Sequence, residues 1–88
     1  MTTLDTLVRR LHEGGCTLVV AQGDDVRLFT RRGVVDLMDL TDNDPAFLHG
    51  ALVADKVVGK GAAALLVKGG VAALHTDLIS RPALDLLS

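Results

Sequence analysis

The segment from Asp55 to Lys68, followed by two glycines, limits most strongly what this chain can fold into. It reads Asp-Lys-Val-Val-Gly-Lys-Gly-Ala-Ala-Ala-Leu-Leu-Val-Lys, and beyond Gly61 apolar residues occupy nearly the whole helical circumference. This pattern predicts a helix over 55–68 that Asp55 caps, that Gly69-Gly70 ends, and that is buried on several sides. The mostly apolar run 71–76 then predicts a strand. A strand that follows such a helix directly is typical of an α/β domain.

Other helices and a hairpin are predicted around this unit. Thr2 or Thr3 caps an amphipathic first helix that ends at Gly14-Gly15. The runs 17–22 and 26–31 flank a Gly-Asp turn and predict a β-hairpin, with its first strand central and its second at an edge. A short helix is predicted over 34–40, and a loop over 41–45 in which Asp44 caps a short helical element. Ser80-Arg81-Pro82 begins a last helix, and the type of 52–54 stays open.

The predicted order is therefore α, β, β, short helices, α, β, α within one domain over residues 1–88. The connection from strand 26–31 through helix 55–68 to strand 71–76 is long enough for a crossover. A crossover joins strands in parallel, whereas the hairpin is antiparallel, so the sheet is expected to be mixed.

The composition argues against several classes of partner. Nine basic and eleven acidic residues are interspersed, which leaves no basic stripe for a nucleic-acid backbone. The two aromatic residues, Phe29 and Phe47, are too few for stacking platforms on single strands, so the core must be aliphatic. Cys16 has no second cysteine to pair with, and no apolar run approaches about 20 residues. We expect a cytoplasmic protein that binds neither nucleic acid nor a membrane.

The stretch Val-Ala-Asp-Lys-Val-Val-Gly-Lys-Gly-Ala-Ala-Ala-Leu-Leu over 53–66 resembles a small prokaryotic family of unknown function with a cytidine-deaminase-like fold. Its Asp-Lys-Val-Val-Gly-Lys run is the most specific part. The resemblance continues through Gly69-Gly70-Val71 and Ile-Ser-Arg-Pro-Ala-Leu over 79–84, and more loosely includes Arg32-Gly33. It implies an α/β fold of three layers, a mixed sheet with helices on both faces, in which two helix N-termini meet at one cleft.

The same resemblance carries an expectation about the sheet edge. Relatives continue past the position of Ser88 into further strands, so the sheet of this chain is expected to be truncated at its C-terminal end. Strand 71–76 would then have an open edge, which proteins normally cover or pair. A homo-oligomer whose second copy covers this edge is one expectation, and residues beyond Ser88 that complete the sheet are the other.

The resemblance does not extend to the metal ligands of zinc-dependent deaminases. Those enzymes carry a His or Cys and a Glu at one helix start, and Pro-Cys-x-x-Cys at the other. Here the resemblance places the two starts at Asp55-Lys56-Val57 and at 82–86, with Ala83 and Leu86 at the cysteine positions. Neither start offers a thiolate or an imidazole, so no metal, no cofactor and no zinc-dependent deamination is expected.

The predicted helix start at Asp55 contains residues that oppose helix formation. Lys56 and Lys60 are like charges one turn apart at the positive end of the helix dipole, and Gly59 and Gly61 each cost about 1 kcal/mol against alanine. One interpretation is a site for a small anionic or nucleotide-like ligand, bound by backbone N–H groups and the two lysines. The other is that the small residues allow close packing while the lysines only reach solvent.

His75, Asp77 and Ser80 lie around the carboxyl end of strand 71–76, where open α/β sheets usually bind ligands. They complete the candidate cleft, although three residues within six positions rarely adopt the geometry of a catalytic triad. Ser80 is also expected to cap the last helix. His12 and His49 belong to no sequence pattern with metal-ligand spacing.

Three functions remain open at this point. The first is a non-catalytic domain that binds a small anionic or nucleotide-like ligand at the helix N-terminus. The second is an assembly module that forms homo-oligomers without a small ligand. The third is a zinc-independent hydrolase or deaminase-like enzyme that uses Asp55 as a general base.

Overall fold

The computed structural model describes residues 2–31 and 33–88, which leaves out Met1 and Arg32, the latter a part of the family resemblance. Within these ranges there are four strands, four α-helices and one 3-10 turn at Pro45–Phe47. In chain order they are α1 (Leu4–Glu13), β1 (Leu18–Gln22), β2 (Asp25–Phe29), α2 (Gly33–Asn43), β3 (Leu52–Val58), α3 (Lys60–Gly69), β4 (Ala73–Ile79) and α4 (Arg81–Leu87).

The four strands form one mixed sheet in the order β2-β1-β3-β4. Strand β1 is antiparallel to both β2 and β3, and β3 is parallel to β4. The predicted hairpin is confirmed, with β1 central and β2 at an edge. Its two-residue turn begins at Gly23, whose φ of 60° suits a residue without a Cβ at the first central position.

Helices cover both faces of the sheet, as the sequence predicted. Helix α1 packs on one face in a small cluster of buried residues: Leu7, Leu11, Cys16, Val19, Ala21 and Ala54. Helices α2, α3 and α4 share the larger cluster on the other face: Leu18, Val20, Leu37, Leu40, Phe47, Leu48, Ala51, Val53, Val58, Ala62, Ala63, Leu66 and Ala83. Phe47 is the one aromatic residue in these lists, which confirms the aliphatic core. No helix in the described ranges is long and apolar enough to cross a membrane.

The predicted helix over 55–68 is wrong in its first five residues. Residues 52–58 form the inner strand β3, because residues 52–55 pair with β1, the strand also pairs with β4, and the β-branched Val53 and Val58 are fully buried. Gly59 keeps an extended backbone (φ −95°, ψ −179°) as the N-cap, and the helix begins at Lys60. The crossover through α3 therefore joins β3 to β4 and does not start from the hairpin.

The burial of α3 is also narrower than its composition predicts. Ala62, Ala63 and Leu66 are buried against the sheet side, whereas Ala64 is exposed and Val67 is 55% exposed. The helix lies on an outer layer, so only one stripe of its apolar circumference meets the core.

The predicted loop over 41–45 is replaced by the end of α2. Thr41 donates its hydroxyl to the Leu37 carbonyl at 2.8 Å, and the Asn43 amide donates to the Asp39 carbonyl at 3.0 Å. These bonds to the preceding turn let polar residues that usually favour loops remain helical. Asp44 is the N-cap of the 3-10 turn as predicted, but its side chain makes no capping hydrogen bond there.

The predicted caps of the first and last helices are confirmed. The Thr3 hydroxyl accepts a hydrogen bond from the Thr6 backbone N–H at 3.3 Å. The Ser80 hydroxyl accepts one from the Ala83 N–H at 3.3 Å.

Replacing Gly70 with alanine should destabilise the domain by about 1–2 kcal/mol, because Gly70 is the left-handed C-cap of α3 with a φ of 75°. A Cβ there would also lie 2.9 Å from Nδ1 of His49, which must move. Gly70→Asn should lose less, since asparagine tolerates this conformation better. Urea unfolding measures the differences.

Gly61→Ala is the matched control inside the same helix. Its Cβ would meet only Val34 Cγ2, at 3.9 Å, so alanine should stabilise α3 by up to about 1 kcal/mol. Equal stability of Gly70→Ala and wild type would contradict the assigned cap.

Candidate functional site

A cavity of about 560 Å³ lies where β3 ends and where helices α2 and α3 begin. Val34, the second residue of α2, stands on one side, and Gly61 and Ala62 in the first turn of α3 stand on the other. Most of its walls are apolar. The lining residues are Thr17, Val34, Asp55, Lys56, Val57, Gly59, Gly61 and Ala62.

Asp55 supplies the one carboxylate among these lining residues. It belongs to β3 and is only 2% exposed, and its Oδ2 is buried without a hydrogen-bond partner in the described structure. Burial raises the pKa of Asp55 from 3.8 to about 6, because water no longer solvates the charged form. The nearby backbone N–H groups of Val57 and Lys56 lower this pKa only in part.

A second buried carboxylate, Asp36 on α2, lies behind Asp55. Asp36 is 1% exposed, and its negative charge adds to the rise in the pKa of Asp55. Arg31 donates from Nε to Asp36 Oδ1 at 2.8 Å and also pairs with Asp39, so one guanidinium holds the first turns of α2. Oδ2 of Asp36 has no partner within the described residues. Arg31 thus offsets the charge of Asp36, and Asp55 supplies the carboxylate on the cavity wall.

The start of α3 offers hydrogen-bond donors to the same cavity. Gly59 is the N-cap and has no side chain that could accept from the first turn. The first intrahelical bond runs from the Ala63 N–H to the Gly59 carbonyl at 2.9 Å, so the N–H groups before it have no helical acceptor. Donors on α3 and an acceptor on β3 thus share one mostly apolar cavity.

The two lysines of the predicted anion site are not one helical turn apart, as the sequence suggested. Lys56 is half-buried on β3 and lines the cavity, where its backbone N–H donates to the Thr17 carbonyl at 3.1 Å. Lys60 is the exposed first residue of α3 and is not among the lining residues. The error follows directly from the strand that replaces the first part of the predicted helix.

The other predicted cleft residues lie elsewhere. His75 and Asp77 belong to β4 itself, and His75 pairs in register with Ala54, a member of the cluster under α1. Both side chains therefore lie on the α1 face, away from the cavity. The Ser80 hydroxyl bonds to the Ala83 N–H as a cap, and in the described residues no hydrogen bond joins it to His75 or Asp77.

His12, which the sequence gave no role, lies beside these two residues. Its Nε2 lies 2.7 Å from Asp77 Oδ2, and Nε2 of His75 lies 2.9 Å from Asp77 Oδ1. These hydrogen bonds, first that of His75 and then that of His12, lower the pKa of Asp77. Sequence spacing could not reveal the cluster, because 65 residues separate His12 from Asp77.

The helix starts that meet at the cavity are those of α2 and α3. The residues expected at the first start, Asp55-Lys56-Val57, belong to the end of a strand. The second expected start, at Pro82, belongs to α4, which contributes no residue to this cavity. The first assignment is therefore wrong, because it falls in a strand, whereas the second is a helix start as expected but lies away from this cavity.

The raised pKa of Asp55 predicts a pH dependence of stability. The unfolded chain ionises this group above about pH 4 and the folded chain only above about pH 6. Between these values the folded state binds more protons, so Asp55 destabilises the fold as the pH rises, by roughly 2–3 kcal/mol in full. Asp55→Asn should therefore gain stability relative to wild type between pH 4 and pH 6 and hold that gain above.

Urea unfolding of both proteins across this range measures the effect as a difference curve, which cancels the other carboxylates. Asp24→Asn, in the exposed hairpin turn, is the control for loss of one negative charge. A flat difference for Asp55→Asn would contradict the raised pKa.

Comparisons with known proteins agree with the four-stranded α/β architecture. A family model described as TM1506, domain of unknown function (DUF1893), matches residues 6–88. The crystal structure of a DUF1893 family protein (TM1506) from Thermotoga maritima is similar, with a TM-score of 0.83 and 30% sequence identity over 96% of this chain. The alignment covers 56% of the Thermotoga maritima chain, so this chain spans little more than half its length. No curated protein matches the sequence. Because the family model spans nearly the whole chain, the protein belongs to the DUF1893 family of unknown function.

Proposed function

We propose that the protein binds a small planar ligand of the nucleobase type in the cavity between α2, β3 and α3. The observation that carries this proposal is the carboxylate of Asp55, which is 2% exposed on the wall of the cavity and has one oxygen without a partner. A buried carboxylate is costly unless it accepts hydrogen bonds. A ligand N–H that enters beside Asp55 would supply the donor that this group lacks.

The rest of the cavity fits the other parts of such a ligand. Backbone N–H groups in the first turn of α3 suit a carbonyl or ring-nitrogen acceptor, and the dipole of the helix adds to their attraction. Val34, Val57 and Ala62 suit the apolar faces of a ring. A cyclic amide or amidine carries an N–H donor next to an acceptor on a flat, otherwise apolar body, as the nucleobases do.

The sequence positions of the two lysines suggested a site for an anionic group, but the cavity wall beside Asp55 suits an anion poorly. Asp55 is a buried carboxylate on the cavity wall, and the charge of the buried Asp36 acts on it from outside the lining. Lys60 lies outside the lining, which leaves Lys56 as the cation beside the cavity. A phosphate attached to the ligand would therefore bind at Lys56 and not beside Asp55.

We also infer that the fold is cytidine-deaminase-like. Its support is the three-layer arrangement and the meeting of two helix starts at one cavity. The zinc ion of the deaminases does not fit here, because none of the described lining residues is a histidine or a cysteine. We therefore propose that the carboxylate of Asp55 and the start of α3 bind the ligand, with no metal-dependent step.

Cytosine, uracil, adenine and their nucleosides are the probes for this function, with inorganic phosphate as the anion probe. Isothermal titration should find a base that binds, and Asp55→Asn should weaken it by about 10- to 100-fold, the loss of one charge-assisted hydrogen bond. Because Asp55 becomes protonated below about pH 6, binding should also weaken from pH 7 to pH 5.

Gly61→Met tests the cavity independently of Asp55. Methionine favours helices, so the fold should be kept while the longer side chain fills the space beside Val34 and blocks the base. Lys60→Ala, on the same helix but outside the lining, is the matched control and should bind as wild type does. The proposal would be contradicted if wild type bound phosphate but no base, and if Lys60→Ala abolished the phosphate binding.

A second candidate function is self-association through β4. In the described residues β4 pairs only with β3, so its other edge is free along seven residues. A groove of about 400 Å³ runs between this edge and α4, and Leu78 is 64% exposed next to Val57, which is 58% exposed. An open edge with apolar neighbours favours pairing with another strand, and we propose β4 of a second copy.

Analytical ultracentrifugation should then show a dimer that Leu78→Lys converts to a monomer, since a lysine on an edge strand opposes pairing. Leu28→Lys on the opposite edge strand β2, where Leu28 is 47% exposed, is the control and should stay dimeric. A wild-type monomer at every concentration would overturn this candidate.

A cytoplasmic location is part of the same proposal. Cys16 is a buried free thiol with no partner in the sequence, which suits a reducing compartment. The interspersed charges support a small molecule as partner, with neither a nucleic acid nor a membrane surface.

A further inference from the structure

A second group of polar side chains lies on the α1 face of the sheet, separate from the cavity. His12, at the end of α1, and His75, on β4, both direct Nε2 at the carboxylate of Asp77. The distances are 2.7 Å from His12 to Oδ2 and 2.9 Å from His75 to Oδ1. One candidate ligand atom from each of the three residues lies within 4.8 Å of the other two.

The arrangement of these three side chains has the features of a metal site. The rings of His12 and His75 stand edge to face, with centroids 6.3 Å apart, so their nitrogens converge without the rings stacking. The three side chains are between 34% and 51% exposed, which leaves room for small rotations and for water as a further ligand. Tetrahedral ligands about 2.0–2.1 Å from an ion lie roughly 3.4 Å apart. The two histidine nitrogens now lie 2.7 and 2.9 Å from Asp77, and all three ligand atoms lie within 4.8 Å of one another, so small rotations would open this spacing.

We propose that His12, His75 and Asp77 bind a divalent transition-metal ion, with zinc as the expected ion. Two imidazole nitrogens and one carboxylate oxygen form a donor set that zinc accepts, with a fourth position open to water. Harder ions such as magnesium and calcium prefer sites made only of oxygen ligands and are not expected.

The position of the site gives the ion a structural consequence. It would join the end of α1 to strand β4, and so link His12 to Asp77, 65 residues further along the chain. An ion that binds the folded state and not the unfolded chain raises the melting temperature. The protein should therefore melt at a higher temperature with zinc than with EDTA.

Isothermal titration with zinc on the EDTA-treated and desalted protein tests the site. Wild type should bind one zinc ion per chain. His12→Gln, His75→Gln and Asp77→Asn should each lower the zinc affinity by more than about tenfold, because loss of even a residue that only hydrogen-bonds to a metal ligand lowers metal affinity by about 10- to 100-fold. His49→Gln, which removes the remaining histidine, is the matched control and should leave zinc binding unchanged. All four positions are at least partly exposed, so the variants should remain folded.

Nitrogen-15 NMR of the histidine rings gives a second readout that does not depend on affinity. Zinc should shift the Nε2 resonances of His12 and His75 and leave those of His49 unchanged. No zinc binding at millimolar concentration, or binding that the three variants leave intact, would overturn the proposal and leave the cluster as a surface ion pair.

Discussion

The burial of β3 between two strands and two helical layers is the constraint on which the other features depend. Val53 packs into the cluster beneath α2 and α3, and the next residue, Ala54, packs beneath α1. A strand covered on both faces must be apolar almost throughout. A carboxylate placed in that strand is therefore removed from water, and Asp55 acquires its raised pKa from the architecture and not from a neighbouring ion pair.

The cavity beside Asp55 exists because α3 begins there with small residues. Gly59 and Gly61 leave open the space that side chains of ordinary size would occupy, since a Cβ on Gly59 would meet no atom within 4 Å. Neither glycine helps the helix form. A buried charge and an uncapped helix start both reduce stability, and features of this kind occur most often where a protein binds or reacts.

The sequence predicted much of the layer structure and little of the chemistry. The amphipathic α1, the hairpin and the cap of α4 depend on local signals, namely the periodicity of apolar residues, a Gly-Asp turn and Ser80 before a proline. The sequence does not predict the strand over 52–58. A valine-rich run that leads directly into a helix shows the periodicity of neither a strand nor a helix. That single error placed Lys56 and Lys60 on one helix and put the first helix start of the resemblance inside a strand.

The candidate site was predicted in part for a related reason. The unusual pattern of lysines and glycines predicts Asp55, Lys56 and Gly59 as site residues, and the structure brings all three to one cavity. Val34 and Thr17 could not be selected, because they reach the cavity only through the packing of α2 and the pairing of β1 with β3. His12 could not be predicted beside His75 and Asp77 for the same reason, because contacts between elements far apart in the sequence bring the three residues together.

Carbon-13 NMR titration of the Asp55 side-chain carboxyl shows directly whether this buried carboxylate meets a ligand. Without a ligand we expect a midpoint near pH 6, well above the ordinary value of 3.8. With a bound nucleobase that donates to the carboxylate, the midpoint should fall, because the ligand favours the ionised form. A midpoint near pH 4 that no base changes would contradict both the desolvation of Asp55 and its role in binding.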